Sequence, residues 1–170
     1  MTVIAVNFDE NGCHFAADRR ESFADGSVSD LLDKLYKLTD DSVIGFFGPG
    51  CEGADLTTAQ FLAERYGPTD EMLRRWCGAM RELYRLKRLS ANGLGCFLGT
   101  HTSLYQARVL PSKSERDLKD ELVWELEPGF HHVFPDEGIF ELPVTDPVEF
   151  ADILSRVSEY CGGDVQEMRI

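Results

Sequence analysis

Nowhere in the 170 residues is there an apolar run of about 18, the length that a membrane-spanning helix requires. The N-terminus also lacks the basic start and apolar core of a secretion signal, so a cytoplasmic location without a membrane partner is expected. Paired cysteines are missing as well. Cys13, Cys51, Cys77, Cys96 and Cys161 are odd in number and contain no CxxC spacing, which excludes a disulfide framework and a zinc knuckle. Positive charge is scarce: 17 Lys and Arg stand against 30 Asp and Glu, a net charge of −13 that argues against nucleic acid as a partner. Nor is there an internal repeat, a low-complexity tract or a linker. At 43% hydrophobic residues, the chain can bury one substantial core, and residues 1–170 are expected to form a single domain.

The polar and apolar pattern begins with strands. Val3 to Val6 forms an apolar run, Asp9-Glu10-Asn11-Gly12 contains the Asn-Gly hairpin signal, and Cys13 to Ala17 returns toward Asp18. A polar stretch from Glu21 to Asp30 reads as a loop leading to Lys34. Leu35–Leu38 and Ser42–Gly48 then read as two strands around Asp40-Asp41, ending in Gly48-Pro49-Gly50. Two helices follow. The first is expected over Asp55–Tyr66, closed by Gly67-Pro68. The second is capped by Thr69, with Met72, Leu73, Trp76, Met80, Leu83, Tyr84 and Leu86 at helical spacing. Its other faces carry Arg74, Arg75, Arg81, Arg85, Lys87 and Arg88, a solvated surface or a docking face for a neighbouring subunit.

Beyond the Asn92-Gly93 turn, Leu94–Thr100 and Leu104–Leu110 read as antiparallel strands, Pro111–Asp120 as a charged loop, and Glu121–Leu126 as a further strand. A helix is expected over Pro147–Tyr160 with Asp146 as its cap, ended by Gly162-Gly163, and Asp164–Ile170 as a last strand. Cys13, Cys77 and Cys96 fall within apolar patterns and are expected in the core. His14, His101, His131 and His132 have no carboxylate or cysteine at ligand spacing on a shared helix face, so neither metal nor cofactor is expected.

Thr2 gives the N-terminus its chemical interest. Once Met1 is removed, one residue carries both a hydroxyl nucleophile and an amine that titrates at about 7.7–8.0. The run from Thr2 through Ala16-Ala17-Asp18 and Lys34 to Val43-Ile44-Gly45-Phe46-Phe47-Gly48-Pro49-Gly50 resembles the proteasome β-subunit superfamily of N-terminal nucleophile hydrolases. It is most similar to the bacterial HslV-type threonine peptidases. The resemblance covers about the first third of the chain. It implies Thr2 as nucleophile, Asp18 as buried carboxylate, Lys34 as the ammonium that tunes the threonine, and Gly48 as the oxyanion-hole N–H donor. It also implies an α+β fold, a four-layer αββα sandwich of two antiparallel sheets. The implied function is self-compartmentalising cleavage of peptide or small amide bonds in a homo-oligomeric ring, with an ATPase unfoldase as candidate partner.

Simple chemistry agrees with those four residue types. A nearby ammonium disfavours protonation of the threonine amine, a carboxylate beside it fixes its place and charge, and a strand-end glycine admits a carbonyl oxygen to a main-chain N–H. Each also has a local alternative: Asp18 paired with Arg19 or Arg20, Lys34 on the surface, Gly48 in a turn. The sequence departs from the family where a Gly-Ser-Gly-like turn and two helices are usual. Glu127–Gly138 contains no such turn, and only one helix follows, so the second helical layer is reduced. A noncatalytic ring or scaffold subunit is the alternative reading.

Overall fold

The computed structural model describes residues 2–23, 25–50, 53–89, 93–109, 121–133, 144–158 and 161–170, with backbone alone at 121, 122 and 157. Met1, Cys51, Asn92, Leu110, the loop 111–120, residues 134–138 and Tyr160, all named in the sequence reading, lie outside the described residues.

The chain begins with β1 (Ile4–Asp9) and β2 (Gly12–Ala17), paired from Ile4 opposite Ala17 to Asp9 opposite Gly12. The Asp9 carboxylate accepts the Asn11 N–H at 2.8 Å and so shapes the expected turn. The stretch from Glu21 is more ordered than a loop: β3 (Glu21–Ser22) and β4 (Val28–Ser29) form a small hairpin. Asp25 holds its turn by accepting the Ser27 N–H and hydroxyl. Strands of two residues leave no alternation to read in a sequence.

β5 (Leu35–Thr39) and β6 (Ser42–Phe47) follow, then α1 (Ala54–Tyr66), α2 (Asp70–Lys87), β7 (Gly95–Thr100) and β8 (Leu104–Val109). The remaining elements are β9 (Glu121–Leu126), β10 (Gly129–Val133), α3 (Pro147–Val157) and β11 (Gln166–Arg169). All pairings are antiparallel. One sheet runs β10-β1-β2-β11 and the other β5-β6-β7-β8-β9. The fold is α+β, with three helices and three antiparallel sheets among the described residues.

Two sequence-based boundaries move. Gly129–Val133 is a strand, pairing Val133 with Ile4 on the open edge of β1, although its Gly and two His are weak strand formers. α3 stops at Val157 rather than Tyr160, with the Ser158 N–H bonded to the Leu154 carbonyl. The predicted caps are in place: Thr69 accepts from the Met72 N–H at 3.3 Å and Asp146 from the Glu149 N–H at 2.9 Å.

The strand period of two decides what β1 and β2 touch. Ile4, Val6 and Phe8, with Cys13, Phe15 and Ala17, meet Leu35, Val43, Phe47, Phe97 and Leu104 of the other sheet. Val3, Ala5 and Ala16 face the opposite way, onto Phe150, Ala151 and Leu154 of α3 and onto Cys161. A third cluster packs Met72, Leu73, Trp76, Cys77 and Met80 of α2 against Ile44, Cys96, Leu98 and Ala107. The outer face of α2 carries Arg74–Asp70, Arg75–Glu71 and Arg85–Glu82 ion pairs, which account for three of the cations noted in the sequence. With both faces covered, the β1–β2 hairpin carries Thr2 and Asp18 side by side at its open end, opposite the Asn-Gly turn.

Candidate active site

Antiparallel pairing of β1 with β2 sets Asp18 beside the start of the chain. Ile4 lies opposite Ala17, so the next residues outward face each other. The Asp18 N–H donates to the Val3 carbonyl at 3.3 Å, and the Val3 N–H donates to Asp18 Oδ1 at 2.8 Å. That closed pair fixes the residue bonded to Thr2, and Thr2 itself is half-buried.

Asp18 is fully buried and accepts three further hydrogen bonds. Lys34 Nζ reaches Oδ1 at 2.6 Å, while the N–H groups of Arg20 and Gly162 reach Oδ2 at 3.2 and 3.3 Å. Lys34 is only 3% exposed and gives a second bond to the Arg20 carbonyl at 2.8 Å. Of the local alternatives, the ion pairs with arginine are not formed: Arg19 pairs with Asp33 and Arg20 with Asp30, leaving Asp18 to Lys34. Lys34 is not a surface residue either. Burial pushes its pKa below the ordinary 10.5, against the opposing pull of the Asp18 carboxylate.

The Lys34 main chain is held from the opposite sheet. Gln166 of β11 accepts the Lys34 and Leu35 N–H groups through Oε1, each at 2.9 Å, and donates through Nε2 to the Leu35 carbonyl at 2.8 Å. On the other side the Phe46 N–H donates to the Lys34 carbonyl at 3.0 Å, and Gly48 follows two residues later at the end of β6. Gly48 has φ +90°, and a Cβ there would stand 2.2 Å from the Gly93 carbonyl oxygen. The backbone is therefore pressed against a neighbouring turn in a conformation that glycine alone adopts without strain. Lys34 and the N–H of Val3, the residue after Thr2, thus meet at one oxygen of Asp18, and Gly48 follows β6, the strand that pairs with β5 next to Lys34.

Three parts of this shell escape the sequence reading: the Gln166 amide, the Gly162 N–H and Cys161. Cys161 is fully buried under α3, and its thiol is pushed up to about 11, first by burial and then by the Asp18 carboxylate. Ser158 and the Lys34 ammonium pull it back in part, which places the thiol within the electrostatic reach of the pair. No local pattern marks Cys161 or Gln166, which lie more than 125 residues from Lys34; Gly162-Gly163 reads only as a helix stop. Among the described residues no group of three His, Cys, Asp or Glu side chains could hold a metal ion.

Known structures share this arrangement of elements over nearly the whole chain. HslV from Trypanosoma brucei superposes with a TM-score of 0.65 at 12% identity, covering 99% of this chain and 98% of its own. BPH from Thiobacillus denitrificans in complex with Epoxomicin gives 0.66 at 14%, covering 100% and 98%. The chain has the proteasome-like fold. Anbu (ancestral beta-subunit) from Yersinia bercovieri gives 0.65 at 15% identity, covering 99% of this chain and 80% of its own. At such identities the proteasome-like likeness is one of architecture. No protein-family model and no curated protein matches the sequence. No described helix is long and apolar enough to cross a membrane.

Proposed function

We propose that the protein is an N-terminal threonine hydrolase of peptide or other amide bonds, a proteasome-like self-compartmentalising peptidase. The observation that carries this reading is the convergence on Asp18 Oδ1 of Lys34 Nζ and of the N–H adjoining Thr2. A buried ammonium so close to the chain start supplies the positive charge that an amine base and an alkoxide both need.

In this mechanism Met1 is first removed. Thr2 Oγ1 attacks the amide carbon while the Thr2 amine takes the hydroxyl proton, and the carbonyl oxygen becomes an oxyanion bound by the Gly48 N–H. The amine returns that proton to the leaving nitrogen as the C–N bond breaks, leaving an acyl ester on Thr2. Water, deprotonated by the same amine, then hydrolyses the ester and restores the site. Lys34 keeps the amine neutral and Asp18 keeps Lys34 in place. Intact mass and Edman sequencing of an active preparation test the first step: Thr2 is expected as the first residue, and Met1 on nearly every chain removes the mechanism.

The same reading covers the architecture. The three apolar clusters lie between α1–α2 and one sheet, between the sheets, and between the other sheet and α3, as a single-domain four-layer αββα sandwich would require. With one helix among the described residues outside β1 and β2, the second helical layer is the reduced one. The free thiols of Cys13, Cys77, Cys96 and Cys161 suit the reducing cytoplasm. An exposed nucleophile calls for confinement, so a closed homo-oligomeric ring is expected, fed by an ATPase unfoldase where folded substrates are degraded. Light scattering at micromolar concentration should give a multiple of the 19.1 kDa chain. A monomer alone contradicts the ring, and a ring without turnover favours the noncatalytic scaffold subunit.

A further inference from the structure

Arg20 takes no part in the steps above, yet its main chain touches both members of the buried pair. Its N–H donates to Asp18 Oδ2 at 3.2 Å and its carbonyl accepts Lys34 Nζ at 2.8 Å. Its side chain is engaged too. Nε and Nη2 meet the two oxygens of Asp30 at 2.7 and 2.9 Å, a two-point contact that a lysine cannot reproduce.

The guanidinium also lies against the loop after α3. A Cβ on Gly162 would stand 2.4 Å from Arg20 Cζ and Nη2, so the guanidinium occupies the space a side chain would take. Gly162 in turn donates its N–H to Asp18 Oδ2 and accepts the Arg19 N–H at 3.0 Å. Arg20, Asp30 and Gly162 therefore enclose the carboxylate and the ammonium from one side. As an ion pair between half-exposed partners, Arg20–Asp30 adds little to stability, and its consequence is geometric.

The geometry points to Arg20 and Asp30 as positioning residues for the Asp18–Lys34 pair, acting as a latch: Asp30 holds the Arg20 side chain on Gly162, and Arg20 thereby aims its N–H and carbonyl at Asp18 and Lys34. The inference rests on the proposed reading of Thr2, Asp18 and Lys34 for its catalytic meaning. The latch acts on Lys34. The groups acting on that ammonium are Asp18 at the end of β2, the Arg20 carbonyl, Glu21 of β3, Asp30 and Cys161. Releasing the latch withdraws the carbonyl and loosens Asp18, both of which favour the charged lysine, so with Lys34 still buried its titration midpoint falls.

Nuclear magnetic resonance of the folded protein carrying 13C-lysine reads that midpoint among the chain's five lysines. Asp30→Asn and Arg20→Lys are each expected to lower it by about half a pH unit or more, and Asp30→Glu to bring it back toward wild type; because Asp30→Asn also removes a charge that acts on Lys34 directly, the shift in Arg20→Lys, which keeps every charge, is the one that decides. With Lys34 displaced, labelling of Thr2 by an epoxyketone should slow about tenfold to a hundredfold in the first two variants. If Asp30→Asn fails to fold, Arg20→Lys, which keeps the charge, still decides. An unmoved Lys34 midpoint overturns the latch whatever the labelling does. Equal labelling of wild type and Thr2→Ala overturns the threonine reading instead, and the lysine titration still judges Arg20 and Asp30.

Discussion

Thr2→Ala is expected to stop turnover, a fall of about 10⁴-fold or more, while leaving the fold and its melting temperature nearly unchanged. The two halves of that expectation have separate grounds. Thr2 is half-buried and belongs to none of the three apolar clusters, so removing its hydroxyl and methyl groups disturbs no core packing. A change of this kind is usually worth within about 0.5 kcal/mol. The chemistry, by contrast, loses the atom that attacks. Labelling by a threonine-directed electrophile, followed by intact mass, should disappear with the rate. Combined with Lys34→Ala the loss should hardly grow, because residues that act as one unit are not additive. The pH profile of kcat/KM gives a second check. The neutral amine is the base, and the Lys34 charge lowers its proton affinity, so the rate should rise through a midpoint below about 8. It should fall again below the ordinary lysine value of 10.5, since burial makes Lys34 lose its charge early. A Thr2→Ala protein that keeps its rate would end the case for this residue.

The parts legible from the sequence are those governed by neighbours along the chain. Val3–Val6 and Cys13–Ala17 are apolar on both faces because each strand lies between a sheet and α3, and the Asn-Gly turn joins them in the observed register. Thr69 and Asp146 announce helix starts through a side-chain oxygen three residues before the N–H it accepts. What local pattern does not encode is the pairing of distant segments. β10 fills the edge of β1 with Gly129, His131 and His132, poor strand formers that are stabilised by the neighbour they meet. Arg19 and Arg20 are the cations nearest Asp18 in sequence, but the carboxylate points inward, where the buried Lys34 reaches it; both guanidinium groups stay nearer solvent with Asp33 and Asp30. Gln166, 132 residues beyond Lys34, becomes part of the site only when β11 pairs with β2. Asp18 and Lys34 were recognisable by family resemblance, whereas the shell that aims them is a product of tertiary structure.

Lys34→Ala and Asp18→Ala should cost stability as well as turnover, and unequally. Asp18 accepts from Val3, Arg20, Gly162 and Lys34, all converging on a carboxylate without solvent exposure. Removing it leaves a buried ammonium with only the Arg20 carbonyl and deprives three N–H groups of their acceptor, a defect of about 3–5 kcal/mol. In a chain of this size that lowers the melting temperature by about 10 °C or more. Lys34→Ala leaves the carboxylate with three N–H donors, so its loss should be smaller. Asp18→Asn combined with Lys34→Met removes both charges and retains most of the volume, so it should recover stability relative to Asp18→Ala without recovering activity. The pH dependence carries the same signature. Because burial lowers the Lys34 pKa below 10.5, the unfolded chain keeps the proton to higher pH than the folded one. Stability from this group therefore rises with pH across that interval and is lost as pH falls back through the folded value. Lys34→Met should abolish that rise. Thermal melts between neutral and alkaline pH, read beside peptide hydrolysis, separate the two roles: a Lys34→Ala protein that melts early but cleaves at the wild-type rate makes the pair structural, and the proposed proton relay fails with it.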